Sequence, residues 1–343
     1  MSAGYIPIQW TSAKKKYDTI LTILILVFII IFAGLTIIFN ENVSPETLVI
    51  RVTAVTALLL LHIILCIGPL ARINSKYLPL LYNRRHLGVI MFVFAAIHGI
   101  FSLVWFHAYG DVGILWSLFT SNMEYGSFPN FPFQVLGFFT LLILFLMVAS
   151  SHDFWLANLS PKMWKALHMF VYIAYLLVLM HVMLGAFQVE TSPILLILLG
   201  IGLVVITTLH VASAIKEKRK DNEVNVFYKD GWIKVCDLME IPNNRAYIVN
   251  VNGERVAVFK YDGKLSAVSN VCKHQNGPLG EGKIVGGCIT CPWHGFQYLP
   301  DKGVAPPPFT EKLPTYDLKL IGTTILINPQ PHPEGTYVKP IEY

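Results

Sequence analysis

Residues 271–298 read VCKHQNGPLGEGKIVGGCITCPWHGFQY. Cys272-x-His274 and Cys291-x-x-His294 form two short ligand pairs with sixteen residues between them. Two thiols and two imidazoles can hold one zinc ion. The details favour a [2Fe–2S] cluster, in which two thiolates bind one iron and two imidazoles the other. Each pair joins one Cys to one His, so each loop can give one ligand to each iron. Gly277, Pro278, Gly280, Gly282, Pro292 and Gly295 suit two hairpin loops whose backbone N–H groups come close to sulfide.

Upstream, residues 247–268 (YIVNVNGERVAVFKYDGKLSAV) alternate in β fashion around Asn-Gly and Asp-Gly turns. Residues 224–329 resemble the Rieske family. The resemblance rests on the two ligand pairs, Gly303, Pro306-Pro307-Pro308 and a closing strand at 321–327. It implies a small antiparallel all-β domain with the cluster held by Cys272, His274, Cys291 and His294. Respiratory Rieske proteins carry an extra Cys in each cluster loop, joined as a disulfide. The corresponding positions here are near Gly277 and at Trp293. They also place a Ser two residues after the last His, where this chain has Phe296, while Tyr298 matches their pattern. Fewer hydrogen bonds to the sulfurs imply a lower potential, of ferredoxin type. Cys66, Cys236 and Cys288 are read as structural.

Composition shows what precedes this domain. The 343-residue chain is 54% hydrophobic and 14% charged. Soluble domains carry about 25% charged residues, so a wholly soluble chain and a disordered one are excluded. Five cysteines in this length do not make a disulfide scaffold. Six stretches approach the ~20 apolar residues that cross a bilayer as a helix: residues 18–39, 48–70, 86–107, 132–150, 164–187 and 193–215. The expected organisation is an N-terminal segment (1–17), a six-span domain (18–215), a charged linker KEKRKDNE (216–223), the β domain (224–329) and a tail (330–343). The fold class is a membrane all-α six-helix bundle plus a small antiparallel all-β domain.

Basic residues fall on one side of the spans. Lys14–16 precede the first. Arg72, Lys76, Arg84 and Arg85 lie between the second and third, and Lys162 and Lys165 between the fourth and fifth. Lys216, Lys218, Arg219 and Lys220 follow the sixth. The other ends hold Glu41, Glu46, Asp111, Glu124 and Glu190 with only Arg51 positive. The positive-inside rule then predicts cytoplasmic termini and a cytoplasmic β domain, in an integral membrane protein of a bacterial inner membrane. The net charge of +5 is this orientation signal, and no nucleic-acid partner is expected.

Histidines inside spans are costly and mark function. His168 and His181 in span five lie thirteen residues apart, about 20 Å along a helix, which suits two hemes near opposite membrane faces. His98 in span three reaches the same outer depth as His181, so the two can share one heme. His168 lies in the inner half and needs a partner, either His86 or His62. His107, His152 and His210 sit near span ends.

Residues 68–185 resemble the ferric-reductase-like transmembrane superfamily. The best match is to the heme-binding membrane subunit of the methionine sulfoxide reductase system. The resemblance is carried by Gly68-Pro69-Leu70 with Arg72, Arg84-Arg85-x-Leu87-Gly88, His98, and Trp164-x-x-Leu167-His168 with Tyr172 and His181. It implies b-type heme, one or two, bound by His98, His168 and His181, with His86 at the variable position of the Arg-Arg-x-Leu-Gly pattern. Relatives carry a cytoplasmic FAD and NADPH domain, but this sequence has no G-x-G-x-x-G between strand and helix.

The expected function is transmembrane electron transfer. Electrons pass from a cytoplasmic donor (a ferredoxin or a flavoprotein reductase) through the cluster and heme to an acceptor at the outer face, with membrane lipid and quinone as further partners. Two alternatives stand beside it. One is a quinol-oxidising heme protein delivering electrons inward through the Rieske centre. The other is a heme-free membrane-anchored Rieske carrier or sensor. No residue names the substrate.

Overall fold

The computed structural model describes residues 12–40, 42–81, 83–152, 155, 159, 161–186, 193–222, 227–228, 231–274, 276–293 and 295–343. The chain forms two compact units. One joins Gly68–Tyr82 to His210–Tyr343, and the other joins Ser12–Ile67 to Asn83–Leu209.

Helices α1 (Ser12–Phe39), α2 (Pro45–Ile73) and α3 (Arg84–His107) are followed by a short α4 (Ile114–Thr120) and α5 (Phe133–Ser150). The fifth span is split into α6 (Pro161–Met169) and α7 (Val171–His181), and the sixth is α8 (Pro193–Asp221). Among the described residues, six segments are long and apolar enough to cross a membrane. In hydrocarbon every backbone N–H and C=O must be satisfied within the segment, which is why these runs are helical. The apolar window of α2 is 44% buried and that of α1 only 6%. Helix α2 is thus the central element of the bundle, and α1 turns nearly all its surface outward, as a lipid-facing helix does.

Small residues let helices approach closely. A Cβ on Gly99 of α3 would stand 2.7 Å from Leu141 of α5, and one on Gly137 of α5 would stand 2.8 Å from the His181 ring. His107 accounts for both its ring nitrogens. Nδ1 lies 2.9 Å from Ser117 Oγ and Nε2 2.6 Å from Gln134 Oε1, so this buried His ties α3, α4 and α5 together. A single π-helical turn, Val182–Ala186, follows His181.

Composition marks 216–223 as a linker, but α8 runs on through residues 216–221. Lys, Glu and Arg are good helix formers, so the charged run extends the helix rather than ending it.

Among the described residues the β unit has eleven strands. A three-stranded sheet pairs β1 (Ile233–Asp237), β10 (Thr324–Ile327) and β9 (Leu318–Ile321). A five-stranded sheet runs β11 (Ile341–Glu342), β4 (Lys264–Ser269), β3 (Glu254–Tyr261) and β2 (Arg245–Val251), with β8 (Thr315–Tyr316) also on β4. The third sheet is β5 (Lys283–Val285), β6 (Cys288–Thr290) and β7 (Gln297–Tyr298). The pairings among these strands are antiparallel. The Asn252-Gly253 and Asp262-Gly263 turns carry positive φ at both central residues (51° and 87°, 45° and 70°), the type I′ geometry that matches strand twist. The antiparallel β domain read from the alternation is the one observed.

Residues 330–343, expected as a tail, pack as a strap. His332 N–H bonds Thr315 O, Gly335 N–H bonds Leu313 O and Val338 N–H bonds Asp301 O. The strap ends as β11 on the open edge of β4, which covers a row of otherwise unpaired backbone groups.

Candidate cluster loops and membrane histidines

The two ligand pairs sit in two loops built alike. In residues 272–277 the Cys272 N–H donates to Gly277 O (2.9 Å) and Asn276 N–H donates to Cys272 O (2.7 Å). In residues 291–296 the Cys291 N–H donates to Phe296 O (2.8 Å) and Gly295 N–H donates to Cys291 O (2.9 Å). The fifth residue of each loop takes the left-handed conformation, Asn276 at φ 58° and Gly295 at φ 75°, which Asn and Gly adopt at least cost. The same turn thus presents one cysteine from each loop.

The loops face each other. A Cβ on Gly277 would stand 2.7 Å from Cys291 Sγ and 3.2 Å from the Trp293 ring. Gly277 therefore leaves the space that the second thiol occupies. The positions that hold a disulfide in respiratory relatives are neighbours here, and glycine against indole fills that contact. Cys272 and Cys291 are each 1% exposed, while His274 is half-buried. Burial pushes the His274 imidazole down from its ordinary value, keeping it in the neutral form that binds metal. Phe296 stacks on that imidazole with ring centres 4.7 Å apart and planes 4° from parallel. Sequence reading singled out Phe296 only as a missing hydroxyl; its role is to pack the ligand ring. His294 lies outside the described residues. Among the described residues, no three His, Cys, Asp or Glu side chains group as ligands of a single ion.

Tyr298 reaches loop 272–277. The Lys273 N–H donates to Tyr298 Oη (3.0 Å), so the phenol proton is free to point at Cys272 Sγ, 3.5 Å away. Burial, and then the neighbouring Cys272, push the phenol well above its ordinary pKa, so it stays a donor. Cys236 and Cys288 are buried thiols, and none of the five cysteines is joined in a disulfide. Burial raises both thiols, Cys236 to about 12, which suits packing rather than reactivity.

In the helices, His98 and His181 come together. Their ring centres lie 6.2 Å apart, with planes at 77°. His98 Nδ1 lies 3.1 Å from Ile50 O of α2, and His181 Nδ1 lies 2.8 Å from Phe133 O of α5. A carbonyl can only accept, so each Nδ1 carries the proton and each Nε2 holds a lone pair. His168 shows the same tautomer, with Nδ1 3.1 Å from Trp164 O, and its ring stacks on Trp164 at 3.8 Å. Its Nε2 lies 3.2 Å from Ser151 Oγ, whose single proton can go to that nitrogen or to Met147 O at 2.7 Å.

The remaining two histidines differ. His86 Nδ1 lies 2.9 Å from both carboxylate oxygens of Asp18 in α1. His62 Nε2 is hydrogen-bonded to Tyr175 Oη at 3.0 Å, and a Cβ on Gly202 would fall 2.3 Å from that nitrogen. His62 is thus a packed element of α2, α7 and α8.

Residues 231–317 match the Rieske [2Fe–2S] domain, and residues 53–179 match the ferric reductase like transmembrane component. The ferredoxin component of a naphthalene 1,2-dioxygenase system from Pseudomonas aeruginosa is 31% identical over 28% of this chain and 94% of its own length. The chain belongs to the Rieske family. A cholesterol 7-desaturase of Xenopus laevis is 32% identical over 31% of this chain but only 24% of that protein. This chain therefore spans about a quarter of that relative. Among solved structures, the ferredoxin of carbazole 1,9a-dioxygenase from Nocardioides aromaticivorans IC177 aligns at 25% identity. It covers 29% of this chain and 98% of its own, with a TM-score of 0.27. The two matches together place a Rieske domain behind a ferric-reductase-like transmembrane component.

Proposed function

We propose that the protein carries electrons across a membrane between its Rieske domain and b-type heme held by its helices. The cluster would be held by Cys272, His274, Cys291 and His294, and one heme by His98 and His181. These groups, when bound, each accept and release one electron. The protein supplies positions and electrostatics. Tyr298 donates toward Cys272 Sγ, and Phe296 fixes the His274 ring and keeps water from it.

The observation that carries the heme reading is the His98–His181 pair. Two neighbouring neutral imidazoles, each with an Nε2 lone pair, are the donor set that would hold a heme iron. Their ring centres lie 6.2 Å apart. Both rings donate Nδ1–H to backbone carbonyls of other helices, the outer contact that sets tautomer and orientation in metal-bound histidines.

The inner site is at His168. Between its two candidate partners His86 is favoured, because it takes a carboxylate at Nδ1 as ligating histidines do, whereas His62 spends Nε2 on Tyr175. On this reading the cluster sits at low potential, and electrons run from a cytoplasmic donor to an outer acceptor.

The test is the reduced-minus-oxidised absorption spectrum of the purified protein and of His181→Ala. We expect a b-type α band in the first and loss of one heme in the second. Full heme content in His181→Ala overturns the outer site. A cluster midpoint well above that of heme overturns the direction.

A further inference from the structure

The last turn of α8 carries Lys218, Arg219 and Lys220, as a helix C-terminus favours, but its end also carries two acids. Glu217 and Asp221 lie four residues apart on one face of its last turns. Like charges at that spacing repel, and acidic groups at a helix C-terminus oppose the macrodipole. Both costs are offset by one residue of the Rieske domain. Arg255 on β3 sends Nη1 to Glu217 and Nε to Asp221, the latter at 2.6 Å. Asn250 on β2 donates Nδ2–H to Asp221 O at 2.6 Å, capping a helix carbonyl that has no partner within the helix. The Lys220 ammonium stands 5.5 Å from the centre of the Tyr247 ring, also on β2.

The end of α2 is finished in the same manner. Lys216 of α8 donates to Arg72 O at 3.1 Å and to Ile73 O at 2.9 Å. Arg72 in turn sends Nε to Glu281 Oε1 at 3.3 Å. Glu281 closes the short turn Leu279–Glu281 directly after the first cluster loop. All of these residues belong to the one compact unit that joins Gly68–Tyr82 to His210–Tyr343.

We propose that Arg255 and Arg72 are positioning residues that hold the Rieske domain on the ends of α2 and α8 in one fixed orientation, so that it does not swing as a head on a tether. A single exposed ion pair contributes little. Here one guanidinium serves two carboxylates, and two helix ends are capped by side chains from outside themselves, so the contacts form a network. Docking of this kind would keep the cluster loops in one setting on the helix ends. This rests on the electron-transfer reading for its purpose, but its test does not.

The test compares the full-length protein with the double variant Arg72→Ala/Arg255→Ala, using two readouts. The first is electron paramagnetic resonance of the reduced cluster in oriented membrane multilayers. A fixed domain gives a spectrum that changes with the angle of the sheet to the field, and the double variant should lose that dependence with its g values unchanged. The second is hydrogen exchange at the amides of residues 216–221, which should speed up by about tenfold in the double variant. Arg255→Lys keeps the charge but not the two-pronged geometry and should fall between. An orientation dependence or exchange protection that survives the double substitution overturns the proposal. A wild-type protein with no Rieske signal at all refutes the cluster assignment instead, and exchange alone then decides the docking.

Discussion

The two cluster loops and the two paired membrane histidines solve one problem by different means. Each must hold side chains at fixed separation. In the Rieske domain the holding is local: each loop closes on itself through a bond from the Cys N–H to a carbonyl within the same turn. In the helices the holding is remote, since the carbonyls that fix His98 and His181 belong to Ile50 and Phe133, on other helices. Glycine makes room in both, Gly277 for the Cys291 thiol and Gly137 for the His181 ring. Local construction tolerates change elsewhere in the chain; remote construction depends on how whole helices pack.

Four substitutions can break or sharpen that contrast. The largest effect is expected from Cys291→Ala. It should abolish the reduced-cluster resonance while helical circular dichroism and any heme absorbance stay at wild-type level. Loss of the heme signal along with the cluster would show that the two regions are not built separately.

Next come the glycines. Gly277→Ala and Gly137→Ala each place a Cβ under 3 Å from a thiol or an imidazole. Overpacking of this kind costs about 1–3 kcal/mol. Gly277→Ala should lower cluster occupancy more than Gly137→Ala lowers heme occupancy, since the Cys291 thiol is fixed by its turn while the His181 ring can shift with α7. Iron and heme analysis of both variants checks the order, and the reverse order would place the stiffer site in the membrane.

The smallest effect is that of Tyr298→Phe. A hydrogen bond to sulfur stabilises the more negative, reduced cluster, so removing it should lower the midpoint. The loss of about 1 kcal/mol corresponds to roughly 40 mV for a one-electron couple, measurable by redox titration. An unchanged midpoint would mean that the phenol proton does not serve Cys272.

The same contrast explains what could be read from the sequence. Residues 271–298 announce their metal chemistry because ligands, turn residues and strand alternation lie within one short stretch. The six spans are equally plain, since each must satisfy its own backbone in hydrocarbon. The pairing of His98 with His181 followed from depth alone. The partners Ile50 O, Phe133 O and Asp18 did not, because a backbone carbonyl leaves no mark in a sequence and ring direction is set by packing. The end of α8 was misjudged for a different reason. Charge density suggested a linker, whereas the helix-forming preference of Lys, Glu and Arg in the same residues pointed to a helix. The strap at 330–343 was missed because a two-residue strand such as β11 is too short for alternation to show.

The mirrored turns at residues 272 and 291 have a consequence for how the domain is assembled. If each loop gives one ligand to each iron, neither loop can hold metal until the other has arrived. Metal insertion would then act as a latch that closes a ring of chain containing the β5–β6 hairpin, and closing such a ring removes conformational freedom that the open loop retains. The five-stranded sheet lies outside that ring and needs no metal to form. Maturation would therefore proceed in two stages, sheets first and latch last. Loss of iron would loosen the β5–β6–β7 corner while leaving the rest of the domain standing.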